Sequence, residues 1–125
     1  MNIKLGRIIG GDLNFEGSDL WRRFFFIYNT ESNLPRGGHA HKVCIQALLC
    51  VQGEATISAF DGCERAEIVL SGSDDLYLLV NPGIWLDIEF KSNDTRLLVL
   101  ASHQYDEVDY LRSKDDYFLW LSSMI

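Results

Sequence analysis

Apolar residues along this chain fall into short runs rich in β-branched and aromatic side chains, each bounded by turn formers. RFFFIY at 23–28 is followed by NTESNLP, which has loop chemistry. QALLCVQ at 46–52 stops at Gly53. ATISAF at 55–60 and RAEIVL at 65–70 flank Asp61-Gly62, a hairpin signal because both residues tolerate positive φ. LYLLV at 76–80 meets the Asn81-Pro82-Gly83 turn, and IWLDIEF at 84–90 then alternates apolar with acidic positions, the period of a half-buried strand. Ser92-Asn93-Asp94 turns the chain into RLLVLA at 96–101. Seven or eight strands at hairpin spacing predict an all-β domain, a closed barrel or a sandwich.

The tail changes character. YFLWL at 117–121 is too uniformly apolar for a solvent-exposed end and predicts a short helix packed on the barrel or on a partner subunit. The expected organisation is one domain over 1–125: an N-terminal strand or arm (1–22), a barrel core (23–101) and a C-terminal helical or irregular extension (102–125).

A chain of 125 residues can bury a core without staples, and its apolar content of 47% is ordinary for a soluble protein. No run approaches the length needed to cross a bilayer, and MNIKLGRIIGGDLN does not read as a signal peptide, so no membrane association is expected. Cys44, Cys50 and Cys63 are odd in number and lack CxxC spacing, which predicts reduced thiols in a cytoplasmic protein. The net charge of −7 argues against a nucleic-acid polymer as partner. A local basic cluster of Arg22, Arg23, Arg36 and Lys42 suits a small anionic ligand instead.

Candidate chemistry concentrates in PRGGHAHK, residues 35–42. On a strand His39 and His41 share a face and Ala40 points the other way, so two imidazoles can converge on one cavity. Imidazole titrates near neutrality and exchanges protons without large tuning. Gly37 and Gly38 would let the backbone approach a ligand closely. The spacing from His41 to Gln46 and then Gly53 matches the first cupin motif, with Gln46 where metal cupins carry glutamate. The stretch after Pro82 supplies no second-motif histidine. Two imidazoles and an amide offer no anionic ligand, which favours acid–base work over metal binding; His103 is the remaining candidate donor.

Three segments together resemble the cupin sugar 3,4-ketoisomerases, which act on dTDP-4-keto-6-deoxyglucose. They are RFFFIYNT leading into RGGHAHK, IQALLCVQG at 45–53, and LLVLAS followed by YDEVDYLR at 105–112. The resemblance covers most of residues 23–118. It implies a cupin-like jelly-roll barrel and a cytoplasmic homodimer making deoxysugars for surface polysaccharide. It also implies cofactor-free, metal-free isomerisation of a dTDP-linked ketosugar. By the resemblance His39 and His41 are the proton-transfer pair, and Arg36 holds an oxyanion or phosphate. Gln46 orients a hydroxyl, and Trp85 or Tyr105 packs the base or sugar, although aromatic residues as often fill cores. Arg23, Lys42 and Tyr28 complete the expected substrate-binding set.

This chain departs from the family's pattern at three places. Phe26 stands where a tyrosine is usual, with Tyr28 nearby as a substitute. Leu86 follows Trp85 where a histidine is common, and the N-terminal IGGDLN lacks an arginine. The competing readings are a non-catalytic sugar-nucleotide-binding cupin, a 3,5-epimerase-like enzyme and a metal-dependent cupin enzyme.

Overall fold

The computed structural model describes residues 1–10, 20–28 and 36–124, with the side chains of residues 36 and 37 outside the description. The loop expected at 29–35 also lies outside the described residues. The elements, in chain order, are β1 (Ile3–Arg7), β2 (Arg23–Ile27), β3 (Arg36–His41), β4 (Gln46–Gln52), β5 (Glu54–Phe60), β6 (Arg65–Ser71), β7 (Leu76–Val80), β8 (Trp85–Phe90), β9 (Arg96–Ala101), a 3-10 turn (Glu107–Asp109), β10 (Tyr110–Leu111) and α1 (Lys114–Ser123).

The strands form two five-stranded sheets, ordered β1-β7-β4-β9-β2 and β10-β3-β8-β5-β6. All the strand pairings are antiparallel. The expected all-β, cupin-like jelly roll is therefore present as two facing sheets; among the described residues no ladder joins them into a closed barrel.

Alternation decides which side chains meet between the sheets. In β8, Asp87 and Glu89 are exposed while Leu86, Ile88 and Phe90 are buried, as a period of two requires. Those three join Leu48, Ile57, Leu78, Leu97 and Val99 in the main core. Gly53 ends β4 at φ +76, and a Cβ there would lie 2.9 Å from the Thr95 Cα, so the motif's glycine is fixed by both backbone conformation and space.

The C-terminal segment packs where its composition placed it. Ser113 caps α1 by accepting a hydrogen bond from the Asp116 N–H. Tyr117 is fully buried against Phe60, Trp85, Ala40 and Leu111 on the outer face of the second sheet. Its hydroxyl lies 2.7 Å from the Gly83 carbonyl and 3.1 Å from that of Phe60, pinning the helix to two turns of the sandwich.

Candidate active site

β3 carries the histidines. A register shift between Gly37 and His39, with Gly38 at φ +71, interrupts the pairing of β3 with β8 just before them. Ala40 is buried on the outer face beneath α1, which leaves His39 and His41 on the opposite, inward face, as expected. The two rings stand edge-on with centroids 5.1 Å apart. Tyr110, whose strand pairs with the end of β3, packs on both, at 5.1 Å from His39 and 4.4 Å from His41.

His39 and Tyr110 line a cleft of about 380 Å³ with Gln46 and Arg112, walled by Phe25, Ile27, Leu48, Ile88 and Val99. The cleft opens where β2, β4 and β9 of one sheet face β3, β8 and β10 of the other. Apolar side chains wall it, but its accessible surface is more polar than apolar, because the imidazole, amide, phenol and guanidinium groups converge on it.

His41 is 6% exposed and meets an unforeseen partner: its Nδ1 lies 2.7 Å from Oδ2 of Asp109. The other carboxylate oxygen of Asp109 accepts the Val43 N–H at 2.7 Å. Burial would raise the Asp109 carboxyl, but the hydrogen bonds from His41 and Val43 outweigh it and hold the group below the usual carboxylate range. For His41 burial dominates and lowers the imidazole; Asp109 opposes this, and the positive charges of Arg23 and Arg112 add to the lowering. An ionised carboxylate only accepts, so the neutral ring carries its proton on Nδ1. Nε2 is then a buried lone pair, with no hydrogen-bond partner among the described residues.

The rim is built from the segment 105–112. Arg112 makes a forked pair with Glu107, at 2.6 Å and 3.0 Å, and its guanidinium lies 4.2 Å from the centre of the Tyr110 ring. The Tyr105 hydroxyl also bonds to Glu107. Arg112 and Tyr105 together bring the Glu107 carboxyl down to about 2. Arg23, on the inward face of β2, lies over Phe25 at 4.8 Å and over Tyr105 at 5.7 Å, and its buried Nε has no hydrogen-bond partner among the described residues.

Residues 13–122 match the family described as FdtA: WxcM-like, C-terminal. The chain belongs to this family. It is 36% identical over 103 residues, 82% of this chain and 73% of the relative, to the TDP-4-oxo-6-deoxy-alpha-D-glucose-3,4-oxoisomerase of Aneurinibacillus thermoaerophilus. Among solved structures it resembles a 3,4-ketoisomerase from Helicobacter canadensis, with a TM-score of 0.86 at 27% identity over 98% of both chains. It also resembles QdtA, a sugar 3,4-ketoisomerase from Thermoanaerobacterium thermosaccharolyticum solved in complex with TDP. The TM-score there is 0.77 at 30% identity, over 84% of this chain and 76% of that one.

Within the FdtA-type fold, the structure brings together some of the expected site residues and separates others. His39 and Gln46 border the cleft and His41 packs against His39; Arg23 packs on the cleft residue Phe25 and Tyr105 on the cleft residue Tyr110. Arg36 lies on β3 opposite Ile88, its side chain outside the described residues. Trp85 does not reach the cleft: it precedes the inward-facing Leu86 and is buried in the opposite cluster beneath α1. Lys42 follows the inward-facing His41 and borders a separate surface cleft with Leu119 and Trp120. Tyr28 is 46% exposed on the outer face of the β2 strand line, with Arg96 over its ring at 4.6 Å. Phe26, 53% exposed, follows the same outward alternation while also bordering the cleft; Tyr28 does not line the cleft, so it does not substitute for a catalytic hydroxyl there. The family's histidine after tryptophan would fall at Leu86, directly opposite His39 in the ladder. Asp109, Tyr110 and Arg112 were not singled out by residue chemistry, although all three sit in YDEVDYLR.

Proposed function

We propose that this protein is a cofactor-free isomerase that moves the ketone of a TDP-linked 4-keto-6-deoxyhexose from C4 to C3. The observation that carries this reading is the His41–Asp109 pair packed beside His39, which lines the cleft. Family membership and the named activities of its relatives support the substrate class.

In this mechanism the C4 carbonyl acidifies the hydrogen on C3. His41, oriented by Asp109 and kept neutral by burial, takes that proton on Nε2. The electrons form the C3–C4 double bond and the C4 oxygen takes a proton from water, giving an enediol. The C3 hydroxyl then gives its proton to water, the C3 carbonyl forms, and protonated His39 delivers a proton to C4; His41 releases and His39 regains a proton by exchange with solvent. Arg112 and Arg23 place positive charge beside the developing oxyanion, and Gln46 offers an amide to a ring hydroxyl. Arg36 is the expected diphosphate ligand.

Around this chemistry the chain is read as one domain acting as a cytoplasmic homodimer. The thiols of Cys44, Cys50 and Cys63 are free, which suits a reducing compartment. No helix among the described residues is long and apolar enough to cross a membrane. Phe24, 72% exposed, continues the apolar outer face of edge strand β2 through Phe26 to Tyr28, and a second copy related by a two-fold axis would cover it.

The test is incubation of the purified protein with dTDP-4-keto-6-deoxyglucose in deuterated water. The expected result is a 3-keto product carrying solvent deuterium at C4, absent from His39→Asn and His41→Asn variants that still bind TDP. No exchange and no 3-keto product from the wild-type protein rejects the proposal.

A further inference from the structure

The proposed isomerisation gives Cys44 no part, yet its buried thiol belongs to the same cluster as the dyad. The Nδ1 or Nε2 of His41, the Sγ of Cys44 and a carboxylate oxygen of Asp109 all lie within 4.8 Å of one another. The three residues are buried and come from three places: the end of β3, the loop after it and the 3-10 turn. A nitrogen, a sulfur and an anionic oxygen form a donor set suited to zinc-like ions, unlike the neutral His39, His41 and Gln46 of the first-motif spacing.

The distances require modest adjustment. Bonds of about 2.0 Å to nitrogen and oxygen and 2.3 Å to sulfur place tetrahedral donors roughly 3.3–3.6 Å apart. The His41–Asp109 contact of 2.7 Å has to open slightly and the thiol has to draw in. Ser102, whose hydroxyl lies 3.9 Å from Cys44 Sγ, lines a separate surface cleft of about 430 Å³ with Ile45, His103 and Gln104. His103, which also lines that cleft, has its Nδ1 2.7 Å from the same hydroxyl.

We infer that His41, Cys44 and Asp109 form an inhibitory binding site for a zinc-class divalent cation, reached from the Ser102–His103 side. On binding, the Cys44 thiol releases its proton and sulfur bonds the metal. The His41 proton moves from Nδ1 to Nε2, freeing the Nδ1 lone pair for coordination, and Asp109 exchanges its hydrogen bond for a metal bond. The lone pair that serves as base is thereby protonated and the dyad is broken. Loss of activity rests on the proposed isomerase mechanism; metal binding itself does not.

The experiment titrates the metal-free full chain with Co²⁺ alone, then with Zn²⁺ in competition. The expected result is stoichiometric binding with a thiolate-to-cobalt charge-transfer band. Cys44→Ser and Cys44→Ala should lose that band and bind weaker by at least the roughly 10–100-fold that an outer-sphere partner contributes. Both variants should keep wild-type isomerase activity without metal and resist Zn²⁺, whereas Zn²⁺ should abolish wild-type activity until a chelator restores it. A wild-type complex without the band, or Cys44 variants binding as tightly, overturns the site. Full activity with the site filled overturns the inhibition. If the Cys44 variants do not fold, Asp109→Asn decides the question by affinity: the band shows whether Cys44 binds the metal in wild type, and an Asn variant that binds as tightly as wild type overturns the site.

Discussion

His41 and Asp109 are 68 residues apart in the chain, yet the imidazole Nδ1 and the carboxylate Oδ2 stand 2.7 Å from each other. The contact exists because β10 pairs with the end of β3 and carries the preceding 3-10 turn alongside it. Two backbone contacts fix that turn: the Lys42 N–H donates to the Asp109 carbonyl at 3.0 Å, and the Val43 N–H donates to the carboxylate. The carboxylate therefore has a fixed position independent of the histidine, and a fixed acceptor selects one ring tautomer.

Asp109→Asn tests that selection. The amide keeps the shape, but it can also present N–H to the ring and hold the wrong tautomer. We expect kcat to fall by about 10²-fold or more, the range for a general base, with KM little changed. The carboxylate raises the His41 value, so its loss should also move the acid limb of the rate profile to lower pH. A variant with unchanged kcat and an unchanged limb would leave Asp109 only a structural role.

Acid should act on rate and on stability in the same direction. The proposed mechanism needs neutral His41, whose value burial has lowered, so on that proposal the acid limb of kcat/KM should lie below the ordinary imidazole range. For stability, the unfolded chain takes up the proton more readily than the folded one. The contribution of His41 is therefore fully present above about pH 6.5 and is lost as pH falls through the lowered folded value. Denaturant melts of wild type and His41→Asn across this window should converge as pH falls. Parallel curves would contradict the assignment.

Tyr117 separates fold from chemistry. Its hydroxyl hydrogen-bonds to the carbonyls of Gly83 and Phe60, and burial pushes the phenol up to about 12. Tyr117→Phe leaves those carbonyls short of a donor and should destabilise by about 1–3 kcal/mol. Because Tyr117 packs on the face opposite His39 and His41, kcat should remain at the wild-type level below the new melting temperature. A large fall in kcat without a fall in stability would place α1 in the chemistry.

These contrasts show what the sequence exposes and what it conceals. The strands were legible because alternation is visible wherever acids separate apolar residues, as in WLDIEF. The same logic put His39 and His41 on one face. It failed in RFFFIY, where the aromatic run hides the period and Phe26 and Tyr28 turn out to face outward. Trp85 was misplaced because an aromatic at a strand's first residue can serve either face, and α1 covers the outer one. Asp109 was concealed among Asp106 and Glu107: only the pairing of β10 with β3 buries one of these acids and exposes the other two.

Arg112 gives the opposite signature to Asp109. Its guanidinium lines the cleft, pairs with Glu107 and lies over Tyr110, and its positive charge helps to lower the His41 value. Arg112→Gln should therefore move the acid limb upward, and rising ionic strength should move the wild-type limb the same way, because an exposed charge is screened. Arg112→Lys keeps the charge while losing the fork to Glu107, so its limb should stay near wild type even if KM rises. The shift should be modest, since Arg112 is a smaller influence on His41 than burial or Asp109. If the lysine variant moves the limb as far as the glutamine variant does, the influence comes from the packing of Tyr110 on the two imidazoles, and charge at the rim plays no part in setting the base.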